Sequence, residues 1–128
     1  MKRLLLLMFL IGIACSPPAL ADELLETYFA VLSERDHFNS DGQRLTEAAA
    51  IIRQDRANYH RFKKRDFGDT GDVFFSSAKN REILEQLLKR GTSSPGALKS
   101  IVNGTPAIAV RIYRTDTGTP YVNVSIHA

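Results

Sequence analysis

Cysteine is almost absent. Cys15 is the only one in 128 residues, so no intrachain disulfide can form. If the first 21 residues are removed, no thiol remains, which excludes a cysteine nucleophile and a thiolate metal site. Repeats, low-complexity tracts and linkers long enough to divide domains are also missing, so one domain is expected. No apolar run reaches the roughly 20 residues that a membrane span needs. Net charge is small as well. Seventeen Lys and Arg face 14 Asp and Glu, and two of those bases, Lys2 and Arg3, sit at the start. Without them the count is 15 against 14, a balance of +1, which gives no global attraction to nucleic acid or membrane. Anion binding has to come from a local patch.

The first residues carry the clearest pattern. Lys2 and Arg3 precede the uncharged apolar run from Leu4 to Ala14. The helix breakers Pro17 and Pro18 follow, and then Ala19 and Ala21 place small residues three and one before Asp22. That order is the layout of a secretory signal, with cleavage expected after Ala21. The expected division is a signal peptide at 1–21 and one globular domain at 22–128, located in the periplasm or outside the cell. A second pattern, Ile11-Gly12-Ile13-Ala14-Cys15, loosely resembles a bacterial lipoprotein processing box, which would lipidate Cys15 and tether the protein. Gly12 departs from that pattern, where Leu is usual. About 107 residues would remain after cleavage at Ala21, enough to bury roughly 60–70% of the unfolded surface without disulfides.

Within those residues three helices are expected. The first covers about Thr46 to Tyr59, with Thr46 as N-cap after the Asp41-Gly42 turn and a mixed stripe of Ala48, Ile52, Tyr59 and Phe62. A second starts from Ser76 or Ser77, carries Ile83, Leu84, Leu87 and Leu88, and stops at Gly91 in a left-handed turn. Just upstream, Val73-Phe74-Phe75 is expected to plug the core. A third runs from Ser94, with Pro95 at its first position, to about Asn103, and its matching stripe suggests a packed pair with the second.

The period then changes to two. Ile108, Val110 and Ile112, then Val122, Val124 and Ile126, alternate with polar or small neighbours around the loop from Thr115 to Pro120. This is a hairpin with six β-branched residues facing inward, each contributing about 1.5–3 kcal/mol when fully buried. Because a hairpin alone is marginal, residues 26–33 are expected as a third strand, although Leu24, Leu25, Tyr28 and Leu32 also fit a helix. The expected fold class is α+β, a small antiparallel sheet covered on one face by about three helices.

The densest charge lies at 53–65. Arg53, Arg56 and His60 fall near one helical face, Arg61, Lys63, Lys64 and Arg65 follow, and Tyr59 and Phe62 are interleaved. Such a patch suits an anionic ligand: phosphate, an acidic polysaccharide or a lipid head group. The competing reading is a solvated helix face, with Asp55 and Asp66 pairing some bases and the aromatics in the core. Arg53, Arg56, His60, Arg61, Lys63 and Lys64 are taken as the candidate anion-binding residues.

Two acidic loops invite a cation and lack its signature. In Asp36–Gly42, His37 occupies the first EF-hand position and Ala48 the closing one, so carboxylates are missing where they matter, and Asx turns account for Asn39 and Asp41. Asp66, Asp69 and Asp72, spaced by Gly68 and Gly71, read as a solvated linker. No metal or cofactor is expected. The histidines His37, His60 and His127 match no nucleophile elbow or zinc motif; His60 reads as a surface residue or weak pH sensor, and His127 as a frayed strand end. The sequons at Asn103 and Asn123 are incidental.

The expected function is an exported, non-catalytic binding domain, contacting an envelope protein or anionic polymer through the basic helix. Two alternatives stand beside it: a metal-dependent hydrolase using the 36–41 and 66–72 loops, and an envelope protein anchored through Cys15. No specific nucleic-acid signal is present.

Overall fold

The hairpin at the C-terminal end is the centre of the fold. In the computed structural model, which describes residues 21–127, β2 (Ala107–Arg114) and β3 (Pro120–Ile126) pair antiparallel with Ile112 opposite Val122 and Val110 opposite Val124. β1 (Glu23–Val31) lies on the other side of β2, also antiparallel, giving the order β1-β2-β3. The α+β architecture is as expected, and so is the third strand. The helical reading of 24–32 fails because β2 offers a free edge; Leu24 is left half exposed, while Tyr28, Ala30 and Leu32 enter the core at strand spacing. The expected signal sequence, apart from Ala21, and Cys15 lie outside the described residues.

Four helices are present among the described residues, α1 (Ala48–His60), α2 (Ala78–Glu82), α3 (Leu84–Arg90) and α4 (Ala97–Asn103), and α1, α3 and α4 supply the side chains that bury one sheet face. The core joins Ile108, Val110, Ile112, Val122 and Val124 to Ile51, Ile52, Leu84, Leu87 and Ile101, with Phe75 wedged in from a 3₁₀ turn, Phe74–Ser76. Val73, expected inside with Phe75, precedes that turn and is left exposed. Ile126, also expected inside, is 41% exposed, because it ends the strand at the corner of the sheet. His127 is tied down rather than frayed: its N–H donates to the Ala107 carbonyl and its ring lies 4.6 Å from that of Phe29.

Several helix boundaries differ from expectation. Thr46 does not cap α1; Glu47 occupies that position without a side-chain hydrogen bond. The second helix breaks at Ile83 into α2 and α3, with Ser77 accepting the Asn80 N–H at the start of α2. α4 starts late, after Gly96 at φ 75°, and the Ser94 N–H donates to the Val124 carbonyl on the outer edge of β3. The Val124 N–H in turn donates to the Thr92 carbonyl, so 92–94 shields an edge that would otherwise invite aggregation. α3 and α4 therefore do not form the expected pair; each packs against α1 and β3.

Gly91 is not a left-handed stop. Its φ is −92°, open to any residue, and the requirement for glycine is steric: a Cβ there would lie 1.8 Å from the Val122 carbonyl oxygen. The chain leaves α3 pressed directly against β3.

Candidate functional site

Helix α1 buries a polar stripe beside its apolar one. Asp55, Arg56 and Asn58 are all buried along with Ile51, Ile52 and Tyr59, which is why the apolar pattern looked mixed. At the middle of this stripe the Arg56 guanidinium is fully enclosed, stacked between the rings of Tyr28 (4.1 Å) and Tyr59 (4.5 Å). Its Nε donates to Asp55 Oδ2 at 2.8 Å, and its Nη1 donates to Asp72 Oδ1 and to the Thr70 carbonyl. His60 Nε2 meets the same Asp72 oxygen at 2.8 Å, and the Phe75 N–H donates to the other. The Arg56 Nη2 and the Tyr28 hydroxyl are buried without a protein partner among the described residues. Burial raises the Tyr28 pKa well above its ordinary value, against the pull of Arg56.

A second part of the network starts at Ser33. Asp36, in a 3₁₀ turn at Glu34–His37, accepts the Ser33 N–H and the Asn58 side-chain amide, and the Ser33 hydroxyl bridges to Asp66 at 2.7 Å. Arg35 pairs with Asp66 at 3.7 Å. Asp69 accepts the Val31 and Asp66 N–H groups, and Thr70 exchanges hydrogen bonds with Phe29. The 66–72 loop therefore covers the open edge of β1 and is no loose linker.

These contacts draw carboxylate oxygens of Asp36, Asp55 and Asp66 to within 4.8 Å of one another. Burial raises Asp36 to about 6, partly offset by the Asn58 hydrogen bond and reinforced by Asp66. Asp55 is also raised, by burial first, with Arg56 pulling the other way. Three converging carboxylates can share a proton or take a divalent cation. Here Asp36 and Asp66 already spend both oxygens on Ser33, Asn58 and Arg35, as a framework does.

The candidate anion-binding residues are divided by this arrangement. Arg56 is enclosed and spent on Asp55 and Asp72, and His60 turns inward to Asp72, so neither belongs to an outer basic face. Arg53, Arg61, Lys63 and Lys64 are exposed, as is Arg65, whose guanidinium lies 4.1 Å over Tyr59. Among the described residues none of these five is ion-paired. Asp55 and Asp66 do not pair them, because Asp55 serves Arg56 and Asp66 serves Arg35. The stretch from 53 to 72 has sorted its charges, aspartates inward and these bases outward.

Beside this patch, a groove of about 640 Å³ runs between the 3₁₀ turn and α1, with Arg35 and Lys64, Phe38 and Phe62, and Gln54 in its walls. No carboxylate residue lines it among the described residues. Sequence reasoning missed Tyr28, Asp36 and Asn58 as members of the buried network. The one available signal was the polar run Asp55, Arg56 and Asn58 within an apolar helical stripe. Comparison with protein-family models, curated proteins and solved structures gives no match for this chain.

Proposed function

We propose that the chain is an exported, non-catalytic binding domain that contacts an anionic envelope component through Arg53, Arg61, Lys63, Lys64 and Arg65. One observation carries this reading: the nearby aspartates are consumed inside the fold, which leaves these five exposed bases without acidic partners among the described residues. Arg53 and Arg61 line a groove that also holds Asp41, Glu47, Glu82 and Glu85, so the local field that a polyanion requires is least compensated at Lys63, Lys64 and Arg65. The neighbouring groove, which Lys64 lines, offers the aromatic walls of Phe38 and Phe62.

Titration with a soluble polyanion such as dextran sulfate tests it. Binding should weaken steeply with added salt, and the double reversal Lys63→Glu, Lys64→Glu should reduce affinity by at least about tenfold without lowering Tm. Binding indifferent to salt, or to that reversal, rejects the reading.

The metal-dependent hydrolase draws support from the convergence of Asp36 with Asp66, one from each acidic loop. It is the weaker reading. The Asp72 side chain beside His60 is fully enclosed, with both oxygens occupied, and so is unavailable to a substrate.

A further inference from the structure

Resting on the reading above, and naming its partner, we infer that the 61–67 segment is an anchor for an anionic phospholipid surface, with Phe67 as the residue that enters the interface.

Phe67 is wholly exposed, at 103% of its reference area, and no described residue packs on its ring. A single exposed apolar residue is ordinary, but this one is held in place. Asp66 to Asp69 form a turn closed by the Asp69 N–H to the Asp66 carbonyl, with Gly68 at φ 97° supplying the left-handed residue that such a turn needs. Phe67 therefore occupies the outer corner. Both flanks are fixed as well. Upstream, the Arg61 and Phe62 N–H groups donate to Ala57 and the Lys64 N–H to Asn58, with Lys63 held at φ 57°, a costly conformation for a residue other than glycine. Downstream, Asp69 and Thr70 are bonded to β1. Little conformational entropy would be lost when a segment this constrained docks.

The chemistry of the same segment selects the partner. Arg61, Lys63, Lys64 and Arg65 are exposed, Phe62 is 41% exposed, and Asp66, the only acid in the segment, faces inward to Ser33 and Arg35. A soluble polyanion would satisfy the bases and leave Phe67 in water. An anionic leaflet satisfies both, with head groups for the bases and the acyl boundary for the ring.

The chain has no tryptophan, so Phe67→Trp installs a single reporter at a wholly exposed position. The protein as recovered from the cell is mixed with phosphatidylcholine vesicles with and without phosphatidylglycerol. The indole should shift to the blue and be quenched by brominated acyl chains only when phosphatidylglycerol is present. Phe67→Ser should weaken vesicle binding by roughly tenfold while leaving dextran sulfate binding unchanged. Because the readout is local, an apolar segment elsewhere in the chain cannot imitate it. Unshifted emission, or vesicle binding indifferent to Phe67→Ser, overturns the anchor. If dextran sulfate still binds in that case, the anionic-partner reading survives alone; if neither surface binds, both fall.

Discussion

Arg56 and Asp72 meet at 3.0 Å with both side chains completely enclosed, joining the middle of α1 to the loop that covers β1. A buried pair of this kind adds little net stability over well-packed apolar residues, but breaking it is expensive. Arg56→Met should therefore cost about 3–5 kcal/mol, since Asp55 then loses its partner and Asp72 keeps only His60 and the Phe75 N–H. Arg56→Lys should also destabilise, because an ammonium cannot reach Asp55 and Asp72 as a guanidinium fork does. Urea unfolding measures both, and a loss below about 1 kcal/mol for Arg56→Met would show that the network is not the framework of this face.

Stability should fall as pH rises. The Asp36 carboxyl is raised from 3.8 to about 6, so the folded state keeps a proton that the unfolded chain has released. Its stabilising contribution is complete below the unfolded value and is lost between roughly pH 4 and 6. The Asp36 part is on the order of 1–2 kcal/mol once solvent screening is allowed for. Thermal melts should give a higher Tm at pH 5 than at pH 8, with the difference reduced in Asp36→Asn. A Tm that climbs across this range contradicts the assignment.

Gly91→Ala should be among the most damaging small substitutions. The added methyl would overlap the Val122 carbonyl oxygen, and the backbone of β3 cannot swing aside as a side chain can. A cost of about 1–3 kcal/mol or more is expected from such overpacking. Gly118→Ala, in the open hairpin loop at φ 91°, meets no neighbour within 4 Å and should cost only the backbone strain, about 1 kcal/mol. Equal losses at the two sites would refute the steric account.

Calcium, magnesium and manganese should leave Tm unchanged at neutral pH, since the donors around Asp36 and Asp66 already occupy the oxygens a cation would need. A marked rise with any of these ions would return the hydrolase to consideration.

Local pattern alone determined the sheet and the rough positions of the helices. The alternation from Ile108 to Ile112, and again from Val122 to Ile126, imposes a period of two, and the need to pair the hairpin edge favoured a strand at 26–33 over a helix, where the strand found is Glu23–Val31. The basic run at 53–65 was equally plain. Which of those bases face water was decided only by the tertiary structure. Arg53 and Arg56 lie three apart on one helix, yet one is exposed and the other enclosed, because Tyr28 from β1 and Asp72 from a distant loop converge on Arg56 alone. The same holds for Gly91, whose neighbour arrives from β3, and for Ser94, whose N–H meets the edge of that strand. Burial of a charge depends on partners brought from elsewhere in the chain, and helical spacing carries no information about them.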